Sequence, residues 1–256
     1  MGFRVVDFDE PSRLKSTFDG VEKLMVISTM EYDTEKRAQS QKNAIDAAVA
    51  ANVKHVYFTS AAWGGYGDSD VYIQQATLMT EKCLKKFVPI RGSVNGRRSG
   101  LRYTIIRNGA YAHEFAKFVT YKPDAKEIVT PGGGKVAWVD RGELGEGTAR
   151  IIAAPSSKYA NQTVLLTGSS AVSLTDVAKI INNVTGKDLP IRRGTVKGWV
   201  GAAVAAGQDQ FFADTFSEAF AGVERGELET VTPDLERLLG RPPKSIEVAV
   251  RETLSK

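Results

Sequence analysis

The chain reads as an α/β protein built on a doubly wound parallel sheet that lacks its first βα unit, with a small mixed α/β module toward the C-terminus. Three observations predict this. Short apolar runs alternate with segments of helical period throughout the first half. Connections of that length between strands require right-handed crossovers, and hence a parallel sheet covered on both faces. The opening run, Gly2-Phe3-Arg4-Val5-Val6-Asp7-Phe8-Asp9, looks like a strand from the middle of such a sheet, yet no glycine-rich turn and helix precede it.

The elements follow in order. Residues 4–8 form a short strand, and 10–18 a helix with Pro11 at its start, where a missing N–H is tolerated. Lys23-Leu24-Met25-Val26-Ile27-Ser28 is the second strand, a nearly unbroken apolar run of the kind buried on both faces. Residues 34–51 are helical, with Ala38, Ile45, Ala48 and Val49 on one packed face. The third strand spans 54–60, a helix 73–86 and the fourth strand 101–107. Between the last two, residues 87–98 form a basic insertion where a short turn would suffice, read as a surface loop.

The second half is a smaller module. Asp140 opens a helix that runs to about Ala153, and residues 163–168 are a strand and turn. Ser173 caps a helix to Val184 with Asp176 three residues on, a stripe of Leu174, Val177, Ile181 and Val184, and Gly186 as its stop. Residues 195–220 are mostly helical, Thr232-Pro233 starts a short helix ending at Gly240, and Ser245 caps the last one. The division expected is residues 1–140 for the sheet and 141–256 for the module, with a substrate cleft between them.

Composition excludes several classes. The 256 residues are 42% hydrophobic and 25% charged with a net charge of +4, and the charges of both signs are mixed along the chain. That is ordinary for a globular domain and is not a nucleic-acid footprint. Cys83 is the one cysteine, so no intrachain disulfide is available, and its helical setting suggests a buried structural thiol. No apolar run approaches the ~18 residues of a membrane span and no leader pattern is present, so a cytoplasmic location is expected. No cluster suggests a metal.

Open parallel sheets bind ligands beyond the C-terminal ends of their strands. Here those ends are Asp7-Phe8, Ser28-Thr29-Met30, Ser60-Ala61 and Asn108-Gly109. Gly109 permits close backbone approach and Tyr111 follows with a ring able to stack on a substrate. Trp63-Gly64-Gly65-Tyr66-Gly67 reads as a flexible aromatic lid. Gly132-Gly133-Gly134 precedes no suitable helix and is rejected as a phosphate loop.

Several stretches together resemble one family: Gly20-Val21-Glu22-Lys23-Leu24-Met25-Val26-Ile27-Ser28-Thr29, Gln41-Lys42-Asn43-Ala44-Ile45-Asp46-Ala47-Ala48, Val53-Lys54-His55-Val56-Tyr57-Phe58-Thr59-Ser60, Thr80-Glu81-Lys82-Cys83-Leu84 and Leu101-Arg102-Tyr103-Thr104-Ile105-Ile106-Arg107-Asn108-Gly109-Ala110-Tyr111. They are similar to the NmrA-like family of atypical short-chain dehydrogenases, nearest its NADPH-dependent quinone oxidoreductase branch, and the likeness covers nearly the whole chain. It implies a Rossmann-like fold, NADP or NAD as cofactor, and hydride transfer to a quinone or small carbonyl. It also implies that Asp7 and Phe8 flank the adenine, that Ser28, Thr29 and Met30 pass the ribose and diphosphate, that Ser60 lies near the reacting carbonyl, and that Ser60, Ala61, Asn108 and Gly109 also bind the cofactor. Ser60 and Tyr111 are the candidate catalytic residues. The family's Gly-x-x-Gly-x-x-Gly turn is absent, and so is a Tyr-x-x-x-Lys pair, since Tyr72 is followed four residues on by Ala76. The competing reading is a non-catalytic dinucleotide sensor that binds a partner protein. An exposed sheet edge leads us to expect either poor solubility or compensation by a homodimer.

Overall fold

The computed structural model describes residues 3–87, 100–205 and 209–255, so the insertion read at 87–98 lies, beyond Phe87, outside the described residues. The first half runs α1 (Pro11–Phe18), β1 (Lys23–Val26), α2 (Thr34–Ala50), β2 (His55–Ala61), α3 (Tyr72–Lys85), β3 (Arg102–Asn108) and the one-turn α4 (Phe115–Phe118). The remainder runs β4 (Ile128–Thr130), β5 (Lys135–Val136), α5 (Arg141–Ala153), β6 (Gln162–Leu166), β7 (Val172–Ser173), α6 (Leu174–Thr185), β8 (Ile191–Arg193), α7 (Val196–Ala205), α8 (Gln210–Glu224), α9 (Asp234–Leu239) and α10 (Ile246–Leu254).

The main sheet has the order β1-β2-β3-β6. β1 lies parallel to β2, with Lys23 opposite His55 and Val26 opposite Phe58. Two small ribbons complete the sheets, β4 parallel to β8 and β5 antiparallel to β7. The local signals explain the helices. Asp33 accepts from the Lys36 N–H at the start of α2, and Ser173 does the same from Asp176 for α6. Gly186 then ends α6 in the left-handed conformation at φ 65°, which costs glycine nothing.

One strand is corrected. Residues 4–8 join no ladder among the described residues, and Val5 is largely exposed. A strand exists only through exchange with a neighbour, and this segment is held by other means. Arg4 donates to the carbonyl of Thr17, and Asn43 donates to that of Phe8 at 3.0 Å.

The described residues group into two units. The first takes in those up to 61, those within 73–107, and 149–164. Its core packs Leu14 and Phe18 of α1, Ala44, Ile45 and Ala48 of α2, Val56 and Phe58 of β2, Leu84 of α3 and Ile105 of β3. The second takes in 62–72, 108–148 and those beyond 164. Aromatic edges organise its interior: Phe118 meets Trp138 at 4.9 Å and Trp199 meets Phe220 at 4.7 Å, both nearly perpendicular. Among the described residues no helix is long and apolar enough to cross a membrane.

Candidate functional site

In the first unit a cavity of about 570 Å³ opens between the turn at Asp7-Phe8 and the segment after β1, with Val6, Asp7, Phe8, Thr29, Lys36 and Ser40 among its walls. Asp7 does not cap α1, whose N-cap Glu10 makes no side-chain cap. Instead its Oδ1 accepts from the Asp9 N–H at 2.9 Å, a tight turn that leaves its second oxygen available. Asn43 supports this turn by donating to the Phe8 carbonyl.

Ser28, Thr29 and Met30 leave the end of β1. The Ser28 N–H donates to Thr59 Oγ1 at 2.8 Å, tying that end to β2. Among the described residues, the buried Thr29 hydroxyl has no partner, and Met30 is 80% exposed. At the end of β2, Ser60 is buried and its Oγ is likewise without a partner among the described residues. The carbonyl of Ala61 accepts from Gln74 Nε2 at 3.0 Å. A buried hydroxyl left unpaired costs free energy. Two of them at adjacent strand ends therefore fit the hydrogen-bonding demand of a polar ligand such as a dinucleotide.

The second unit holds the rest. Asn108 has a buried side-chain oxygen without a partner among the described residues. A Cβ on Gly109 would sit 3.2 Å from the carbonyl oxygens of Ala137 and Leu166, so this glycine admits the protein's own backbone. Tyr111 is 38% exposed, its backbone held by a bridge to Val139 and its ring 5.7 Å from that of His113. His113 Nε2 pairs with Glu114 at 3.2 Å.

Two loop readings are settled by their contacts. The segment at Trp63 is not a free lid: Trp63 is buried, the Gly64 N–H donates to the Glu227 carbonyl at 3.0 Å, and the Tyr66 hydroxyl reaches Asp234 at 3.3 Å. Its aromatics are spent on anchoring. The amides of Gly133 and Gly134 are occupied by the Glu224 carboxylate, which Arg193 also binds at 3.0 Å, so the rejected phosphate loop already holds an anion of its own.

Sequence reasoning missed the residues behind this rim. Gln41 and Gln74 are both 0% exposed, and Arg37 reaches Ser28 from α2. One signal was present: Arg37, Gln41, Ala44 and Ala48 recur at helical spacing, which puts polar groups on a stripe otherwise made for packing. Among the described residues no group of three or more acidic, His or Cys side chains is placed to hold a metal ion.

The NmrA-like family matches residues 4–221. The chain is 33% identical over 260 residues to the NmrA-like family domain-containing oxidoreductase flvB of Aspergillus flavus, which covers 99% of this chain and 80% of that one. It is 29% identical over 254 residues to quinone oxidoreductase 2 of Escherichia coli, covering 96% and 80% respectively. Among solved structures, the NADPH complex of an Escherichia coli NADPH-dependent quinone oxidoreductase superimposes with a TM-score of 0.83 at 26% identity, over 98% of this chain and 83% of that one. The Citrobacter sp. triphenylmethane reductase complexed with NADP(H) gives 0.83 at 25%, over 98% and 82%. With a fold built on a β1-β2-β3-β6 sheet, polar groups at its strand ends and a family match across most of its length, the chain belongs to the NmrA-like family.

Proposed function

We propose that this NAD(P)-dependent oxidoreductase transfers hydride to a quinone or a related small carbonyl compound. The observation that carries the reading is the set of unpaired buried hydroxyls, Thr29 and Ser60, at strand ends in the unit that also holds the cavity at Asp7-Phe8. The names of the flvB and quinone oxidoreductase 2 relatives, both oxidoreductases, support it. When bound, the reduced nicotinamide supplies the hydride. Everything else falls to the chain's own groups. The available oxygen of Asp7 accepts from the adenine amine and Phe8 packs on the ring. Ser28, Thr29 and the backbone at Met30 hold the ribose and diphosphate. Ser60 and Ala61 fix the nicotinamide end. In the second unit, Asn108 and Gly109 are the further candidates for cofactor contact and Tyr111 for the substrate.

Without a Tyr-x-x-x-Lys pair, stabilisation of the reduced oxygen rests on the Ser60 hydroxyl. Removal of one such donor costs about a hundredfold to a thousandfold in kcat. The test is NADPH and NADH consumption against a panel of benzoquinones, naphthoquinones and small aldehydes. Expected is turnover with quinones, with kcat lowered by Ser60→Ala beyond any loss in cofactor affinity. Tight cofactor binding with no acceptor reduced would overturn the enzymatic reading in favour of a dinucleotide sensor.

A further inference from the structure

Ser28 is set by more contacts than its place in a loop requires. Beyond its backbone bond to Thr59, its Oγ accepts from Arg37 Nη2 at 2.7 Å and from the Gln41 amide nitrogen at 2.9 Å. Gln41 is itself oriented from behind, its carbonyl oxygen accepting from the Thr80 hydroxyl of α3 at 2.6 Å. A serine hydroxyl has two lone pairs and one proton. With both lone pairs engaged by α2, the Ser28 proton meets no acceptor among the described residues. It is free for an acceptor from outside the protein, next in sequence to the unpaired Thr29 hydroxyl of the cavity wall. A guanidinium on the same oxygen strengthens the donor and adds positive charge, a combination that suits an anionic acceptor over a neutral one. The helix gives up core positions for this. Ala44 and Ala48 continue the same stripe at 0% exposure, and Gln41 is as deeply buried as they are.

We infer that Arg37 and Gln41 are positioning residues of the dinucleotide site, holding the Ser28 hydroxyl as a dedicated donor to a diphosphate oxygen. The inference rests on the dinucleotide reading of this rim and deepens it, by naming the anionic diphosphate as what Ser28 recognises and the two α2 side chains as what aims it.

A binding cycle tests it. NADPH is titrated by calorimetry into the full chain and into Ser28→Ala, Arg37→Met, the double variant, Arg37→Lys and Ser28→Thr, with thermal melts recorded for each. Expected are losses of about tenfold in affinity for each of the first two, the size of one hydrogen bond to a charged group. The double variant should bind no worse than either single one, because Arg37 acts through Ser28. Arg37→Lys should recover part of the loss, and Ser28→Thr, which keeps the hydroxyl, most of it. Wild-type affinity in Arg37→Met overturns the role, and so do losses that multiply in the double variant. A lower melting temperature with unchanged affinity in Ser28→Ala would mean that its proton is used inward, on Gln41, and overturns it equally. Failure of the wild-type chain to bind NADPH is a separate result that removes the dinucleotide reading itself.

Discussion

His55 turns burial into a pH dependence. It is 1% exposed, stacks on Tyr57 at 4.1 Å with the rings 4° from parallel, and faces Thr104 Oγ1 at 2.8 Å. Because the Thr104 hydroxyl donates to the Tyr159 carbonyl, the imidazole Nε2 carries the proton and donates to Thr104. Desolvation pushes its pKa down to about 4, and repulsion from Arg102 and Lys23 adds to the shift. The unfolded chain takes up this proton near the ordinary value of 6.5, while the folded chain resists until about 4. Stability is therefore whole above about pH 6.5 and falls as pH drops toward 4, by at most about 3 kcal/mol from this residue. Urea unfolding across that range should show it, and His55→Gln, which keeps a donor for Thr104, should flatten the loss. Identical slopes for the two proteins would remove His55 from the account.

Between β3 and α3 the joint is ionic and buried. Arg107 donates from Nε and Nη2 to the two Glu81 oxygens at 2.9 and 2.8 Å, and both residues are 1% exposed. Such a pair is weak evidence of net stability, yet removing one partner leaves a buried charge without its counterpart, at about 3–5 kcal/mol. Glu81→Leu should therefore lower the unfolding midpoint sharply, while Glu81→Leu with Arg107→Met should restore most of it. An equal or larger loss in the double variant would show that the pair is worth more than its desolvation. These elements also mark what a sequence can reveal. β1, α2, α3, β3 and α6 fall within two residues of their predicted bounds, because period, caps and stop residues are local. β4, β5, β7 and β8 span two or three residues each, too short to carry a period. The failure of residues 4–8 to join a ladder was equally hidden, since pairing depends on a distant partner. The strand-end rim was legible from topology alone. The Arg37–Gln41–Thr80 relay behind it was not, because it takes three elements meeting to give those side chains a purpose.

Ligand binding should be visible in the stability of the protein as a whole. The rim of Asp7, Ser28, Thr29 and Ser60 lies in the first unit, where unpaired hydroxyls at Thr29 and Ser60 weaken the ligand-free state. A ligand that satisfies them binds the native chain and not the unfolded one, so mass action stabilises the fold. At one hundred times its dissociation constant, NADPH contributes about 2.7 kcal/mol. For a chain of this size that corresponds to a rise of about 5–10 °C in melting temperature. The probe matters, because Trp63, Trp138 and Trp199 all belong to the second unit, and tryptophan fluorescence reports only there. Far-UV circular dichroism registers both units, and amide hydrogen exchange resolves the rim itself. Exchange should slow at residues 28–30 and 59–61 on adding NADPH, alongside the shift in the dichroism melt. A melt that moves while those amides exchange as before would place the nucleotide elsewhere on the protein, because bound ligand protects the backbone it touches. Protection confined to the rim would tie the whole gain to the strand ends that hold Ser28 and Ser60.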